Sequence, residues 1–396
     1  MRTPWLDRTE QFLIFVLAGF LFWPHAVSSI ALILLVGLRL YRSGKETVPK
    51  GMDWLLFLPA LVIFIAWGMH GAASNGQAEL QLWATFLAAV LYFKTSPFRK
   101  TFVQSFALMS LIQAALVLGA IVFGEAATAG SFSQHVRDQI DQLFHVHPTY
   151  LSAVWLWAGT WLILEKGWPI RYRQASLAGL AIMAGITGGK MPFLAFAVVL
   201  VYIILSSVQR TRHRIIVSSI LIVFMGINAL LNPGLRDRFT ELIGPTTEYS
   251  EGQWLTSTEL RLGIWGCVKH VALEHWQMGV GTGNTRPPLE ECFAGYDQAQ
   301  FFETEFNSHN QYMHFWLVGG ILGFLSILGY FAWLFYVAIQ RRDKEFIAAL
   351  IYLCLLLLTE NYFSRQAGMM LFAFTLTALY FRPRVDAHSA ASNPAK

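Results

Sequence analysis

Charge is what this chain has least of. Only 13% of its 396 residues are Asp, Glu, Lys or Arg, against about 25% in a soluble globular domain. That deficit, with 55% hydrophobic residues and a mean hydropathy of +0.47, excludes an ordinary soluble domain and leaves a polytopic membrane protein. Apolar runs recur along the whole length, so the first of them does not read as a cleaved signal peptide. The net charge of +5 does not point to nucleic acid, because the basic residues stand in short clusters between apolar runs. Cysteine is scarce, with three residues in all. No CxxC or HExxH occurs, so no metal or cofactor is expected. Carboxylates are nearly missing from the apolar runs, which argues against a proton-coupled transporter. Glu360, in LTENYFSRQAGMM, is the nearest candidate, and with Arg365 close by it reads as a structural ion pair. Internal repeats and low-complexity tracts are lacking as well.

What is present is an all-α pattern of about twelve spans, at 11–23, 25–40, 53–69, 80–93, 102–123, 148–164, 175–189, 191–208, 215–231, 309–339, 346–358 and 368–381. A span takes about 20 apolar residues. Pro24 and His25 favour a turn between the first two. Basic residues fill every second loop: Arg42, Lys45 and Lys50; Lys94, Arg99 and Lys100; Lys166, Arg171 and Arg173; Arg210, Arg212 and Arg214; Arg341, Arg342 and Lys344; Arg382 and Arg384. With Arg2 and Arg8 they place both termini in the cytoplasm. The expected organisation is nine spans over 1–231, an extracytoplasmic, mainly helical loop subdomain over 232–308, three spans over 309–384, and a disordered tail over 385–396. Within the loop, Leu260, Ile264, Val268 and Val271 predict a helix over 259–276 that Gly279 and Gly281 end.

The loop side gathers the groups that can carry chemistry. In FNSHNQYMHFWLVGGILGF, His309, Asn310, Gln311 and His314 crowd the start of span ten. A neutral imidazole at the membrane edge can take a proton from an alcohol. An interfacial histidine that merely anchors a helix end is the plain alternative, but the polar cluster favours a site. Gly319, Gly320 and Gly323 lie deeper, where small residues permit close helix packing. Arg261, Arg236, Arg238 and Lys190 are cations on the same side. Guanidinium binds phosphate through paired donors, and Lys acts as a point charge. Ordinary interfacial charge explains Arg236 and Arg238 equally well. Lys190, in TGGKMPF, lies on the side where positive residues are disfavoured, which suggests a task for it. Cys267 and Cys292 could pair in an oxidising compartment. Two free thiols are the favoured alternative, and the sequence does not decide. GVGTGN looks like a nucleotide fingerprint, but Asn284 stands at the third glycine and a helix precedes it, so a turn is the reading.

Three stretches together resemble the O-antigen ligase and polymerase superfamily. ELRLGIWGCVKHVALEHWQMGVGTGN is similar to that family's loop helix and turn. SHNQYMHFWLVGGILG fits its histidine pattern at His309, Asn310, Gly320 and Gly323. TENYFSRQAG looks like the segment before its last span, and HVHPTYLSAV at 145–154 like the start of a middle span. The resemblance implies a membrane glycosyltransferase of the C type acting on a glycan carried by undecaprenyl pyrophosphate. It puts the essential histidine at His309 and the loop arginine at Arg261, and it sets Lys190 where a further arginine is usual. The expected function is then transfer of the glycan to a lipid A–core sugar hydroxyl at the periplasmic face of the inner membrane. No metal is required, and the anomeric carbon inverts. A polymerase, a protein O-oligosaccharyltransferase and a polysaccharide or lipid transporter are the alternatives.

Overall fold

The computed structural model describes residues 4–72, 74–124, 132–165, 168–207, 255–296, 298–303 and 306–382, with single positions at 219, 223, 226 and 236. Most of span nine and of 232–254, Arg238 and the C-terminal tail therefore lie outside the described residues. Every regular element among those described is helical. The helices are α1 (Pro4–Ala18), α2 (His25–Ser43), α3 (Leu58–Met69), α4 (Ser74–Phe93), α5 (Arg99–Phe123), α6 (Phe132–Phe144), α7 (Pro148–Glu165), α8 (Ile170–Ile186), α9 (Lys190–Ser207), α10 (Ser257–Glu274), α11 (Arg286–Ala294), α12 (Gln311–Gln340), α13 (Lys344–Leu356) and α14 (Gln366–Tyr380).

Five of the described helical stretches are long and apolar enough to cross a membrane: His25–Thr47, Gly51–Met69, Arg99–Phe123, Lys190–Ser207 and Gln311–Gln340. The bundle turns greasy side chains outward, among them Ile30, Ile33, Phe64, Leu322 and Leu325, as a surface bathed in lipid requires. The protein is a multi-pass membrane protein. Its centre is α7, whose residues Tyr150–Leu162 are buried on every side. It packs against α5, α8 and α9, and α14, equally buried, packs against α4.

Several boundaries differ from expectation. Span 53–69 divides into a 3-10 segment, Gly51–Phe57, and α3, because Pro59 at the start of α3 suits a first helical turn and cannot sit deeper in one. The loop helix ends at Glu274, before Gly279, and it starts at Ser257 with a reciprocal Thr256–Glu259 capping box. Helix α6 was not expected at all. Its one-sided pattern, with Val136 and Ile140 buried four residues apart, lays it against α5 and α7. Cys267 and Cys292 form a disulfide, correcting the preference for free thiols. Buried Cys267 on α10 faces α11 across a small separate core that includes Ile264, Val268, Leu289 and Phe293, which brings the two α-carbons to 5.6 Å.

Ion pairs fasten the end of the bundle where α2, α4 and α7 finish and α5 begins. Buried Glu10 meets Arg39 and Arg42, Asp53 meets Lys94, and Glu345 is shared by Arg99, Arg382 and the Trp161 indole. The groups singled out above sit at the other end.

Candidate active site

Helix α12 begins at Gln311, two residues after the expected start of span ten, because Asn310 is its N-cap. The Asn310 side chain accepts from Tyr312 N and Met313 N, both at 3.0 Å. His309 therefore stands outside the helix. Its backbone adopts φ +42°, a left-handed conformation that a non-glycine residue keeps only when its surroundings impose it. The constraints are plain. Asn361, fully buried, accepts from Asn310 N at 2.8 Å and from Ser308 Oγ at 3.1 Å. Asn307 accepts from His309 N at 2.9 Å, and the Trp265 indole donates to His309 O at 3.4 Å. Gln311 is buried too, with Oε1 accepting from Phe363 N at 2.9 Å. The side chains of Asn310 and Gln311 are thus bonded to the chain's own backbone.

These constraints aim His309 Nδ1 at Glu360, whose Oε2 lies 3.4 Å away. The two atoms are within ion-pair range, but not aligned as a hydrogen bond. Apo contacts of this kind often tighten only in the reacting complex. The expected structural pair of Glu360 with Arg365 gives way to this contact. Burial pushes the Glu360 carboxyl up, but the adjacent His309, the Arg261 charge and the Asn361 N–H outweigh it and hold the group below the usual carboxylate range.

Beside this lies a cavity of about 390 Å³. Three helix N-termini meet on it: α7 with Pro148 and Thr149, α9 with Lys190 and Met191, and α10 with Ser257 and Thr258. Each brings the positive end of a helix dipole. A cation at a helix start opposes that dipole, yet Lys190 opens α9, its ammonium held by Thr258 Oγ1 at 2.9 Å. Arg261 from α10 and Arg137 from α6 line the same space, and none of the described residues lining it is acidic. Such a place is built for an anion. Leu194, Leu262 and Trp265 give it an apolar wall.

His147, at the mouth of α7, also lines the cavity. Burial first, then the nearby arginine charges, push its pKa down to about 4. It is neutral at physiological pH. Its Nδ1 accepts from Thr149 N at 3.3 Å, leaving Nε2–H as a donor.

Arg137, His147 and Glu360 have no place in the sequence-derived site. The signals were weak. Arg137 belongs to an amphipathic helix that hydropathy passes over, His147 sits inside the quoted HVHPTYLSAV, and Glu360 was weighed only for transport or structure. Of the expected residues, Arg261 and Lys190 come together at the cavity, and His309 borders it through Trp265. His314 faces elsewhere, its Nε2 2.8 Å from Glu79 Oε1. Arg236 is described only as an exposed helical position.

The GVGTGN turn does not approach the cavity. Helix α12 breaks at Gly319 and Gly320, the latter at φ +61°. The carbonyls that the break frees are taken by the turn: Val280 N donates to Leu317 O at 2.8 Å and Gly281 N to Val318 O at 3.0 Å, while Ile321 N finds Trp276 O at 2.7 Å. The expected role of Gly320 in helix–helix packing is corrected accordingly. It lets the backbone of Gln277 and Met278 come close, and a Cβ there would meet the Gln277 oxygen at 2.4 Å.

A family model described as O-antigen ligase matches residues 175–328. This stretch is similar to the O-antigen ligase family. It holds α9 with Lys190, α10 with Arg261, the docked turn, His309 and the broken half of α12. A search of curated proteins finds no match. The family is one of ligase- and polymerase-like glycosyltransferases of O-antigen synthesis, which act on a lipid-linked glycan.

Proposed function

We propose that this O-antigen ligase homologue moves a glycan from undecaprenyl pyrophosphate to a lipid A–core sugar hydroxyl. The reaction takes place at the periplasmic face of the inner membrane, with both termini cytoplasmic. The observation that carries this reading is the convergence of three helix N-termini with Lys190, Arg261 and Arg137 on one apolar-walled cavity beside His309. A polyprenyl pyrophosphate is an anion attached to grease, and that cavity offers cations and dipoles next to an apolar wall. The Cys267–Cys292 bridge supports placing the loop in an oxidising compartment.

In the proposed step His309 takes the proton of the acceptor hydroxyl. The freed oxygen pair forms a bond to the anomeric carbon from the face opposite the pyrophosphate. The carbon–oxygen bond to the pyrophosphate breaks, and its electron pair stays on the leaving oxygen, so the centre inverts. Glu360 orients the imidazole and stabilises the imidazolium that forms, and the cavity cations stabilise the charge growing on the leaving group. Asn310, Gln311 and Asn361 act by holding His309 in place, and the neutral His147 adds a hydrogen-bond donor. The charge compensation comes from side chains and helix ends, so no metal is assigned to the step.

The test is transfer by purified protein from a lipid-linked donor to lipid A–core. His309→Ala should abolish product while leaving thermal stability close to wild type. Near-normal transfer by that variant would overturn the mechanism. Elongation of the lipid-linked donor in place of lipid A–core by the wild type would make the enzyme a polymerase.

A further inference from the structure

A second cavity, about 920 Å³ and near the upper end for ligand pockets, is lined in part by Phe306 and Asn307 of the segment that carries His309. Its chemistry differs from the first. Hydroxyls, amides and imidazole line it, from Thr85, Asn307, Ser364 and Gln366 among others, together with charges of both signs, the carboxylate of Glu79 and the guanidinium groups of Arg286 and Arg365. Glu79 from α4 and His314 from α12 form a nearly buried pair across the wall, 12% and 7% exposed. That pair uses Oε1 of Glu79 and leaves Oε2 as an acceptor. Ser364 Oγ is buried without a hydrogen-bond partner among the described residues, the condition of a group whose partner arrives with a ligand. Phe306 contributes an aromatic face, and its ring lies 6.0 Å from the His309 ring. The cavity therefore reaches the neighbourhood of the proposed base through Phe306.

We propose that this second cavity binds the acceptor saccharide. A sugar presents hydroxyls that both donate and accept, and C–H faces that rest on an aromatic ring. A carboxylate, a buried hydroxyl and side-chain amides match the first, and Phe306 the second. The cation cavity is the one assigned above to the pyrophosphate, which leaves this cavity to the acceptor. An inverting displacement brings the acceptor hydroxyl to the face of the anomeric carbon opposite the pyrophosphate and next to the proton-accepting group, and Phe306 puts this cavity beside the His309 ring. The inference rests on the transfer reading above but assigns residues that reading does not use.

The test uses the full chain in detergent, with delipidated lipid A–core oligosaccharide as the probe. Binding is followed by saturation-transfer NMR and transfer by separate KM values for acceptor and donor. Glu79→Gln should weaken oligosaccharide binding and raise the acceptor KM by about tenfold, the cost of one hydrogen bond to a charged group, with the donor KM unchanged. Gln366→Ala, on the cavity wall, should act in the same direction if Glu79→Gln fails to fold. The inactive His309→Ala should still bind the oligosaccharide. Active wild type whose acceptor KM is untouched by both cavity variants would overturn the inference and leave the transfer reading standing. A rise in donor KM would also overturn it. If the wild type transfers nothing, the transfer reading fails, and oligosaccharide binding alone then decides: loss of binding in Glu79→Gln supports the cavity, and no binding by wild type refutes it.

Discussion

Glu360→Gln is the sharpest probe of the proposed base, because it keeps the shape of the side chain and removes only its charge. A histidine that accepts a proton must start neutral, so its full attraction to Glu360 is realised only as the imidazolium forms. An interaction made only in the transition state acts on the rate and not on binding. At the observed 3.4 Å the full ion–ion energy is about 5 kcal/mol at an effective dielectric of 20. The side chains are 21% and 9% exposed. Solvent screening, and the dipole that Gln retains, reduce this to about 2–3 kcal/mol, a fall of about 10² in kcat. Single-turnover transfer at pH 7.5 measures it, with KM for donor and acceptor as controls that should not move. Stability should respond as well. The folded carboxyl is held below its ordinary value of about 4.3, so its contribution is fully present above that value and is lost as pH falls through the depressed folded one. Wild type should therefore be the more thermostable protein at neutral pH, and the gap should close in strong acid. A folded Glu360→Gln protein with kcat within threefold of wild type would refute the dyad.

Arg261→Lys should stay impaired by about 10²-fold, since it keeps the charge and loses the two-donor fork, and the loss should be equal for two different acceptors. Full rescue by Lys, or a loss that follows the acceptor, would shift the pyrophosphate contact to Lys190 or Arg137. Joint replacement of Cys267 and Cys292 by Ser should lower loop stability by about 3 kcal/mol, from the 25-residue separation, with a small effect on activity. Mass spectrometry of alkylated, unreduced protein checks the bridge, and two alkylated thiols would exclude it. Gly320→Ala should destabilise by at least about 1–3 kcal/mol, the cost of a strained backbone, since its Cβ would meet the Gln277 carbonyl. A variant as thermostable as wild type would mean that the turn does not depend on this close approach.

What the sequence made legible follows from how each feature is encoded. The membrane class, the loop helix and the His309 and Arg261 motifs lie in contiguous stretches, where composition or helical spacing reads them directly. The contacts that complete the candidate site join residues far apart: His309 meets Glu360 51 positions on, and His314 meets Glu79 235 positions back. Nothing local marks either carboxylate. Glu79 ends the loop HGAASNGQAE at 70–79, which reads only as poor in positive charge, and Glu360 points towards Arg365 on sequence proximity alone. The kink at Gly319 and Gly320 was equally hidden, because two glycines in an apolar run read the same whether they admit a helix face or a docking turn. The convergence of helix ends is the least legible feature. An amphipathic stripe reports which face of a helix is covered, but α7 is apolar all round and buried all round, so it has no stripe to read. Its N-terminus, with His147 and Thr149, is placed by packing, chiefly against α5, α8 and α9. A site made of three helix starts thus depends on where buried helices end relative to one another. That is a property of packing depth, and it leaves its trace in the sequence only as scattered residues such as Lys190, a cation where both the dipole and the topology disfavour one.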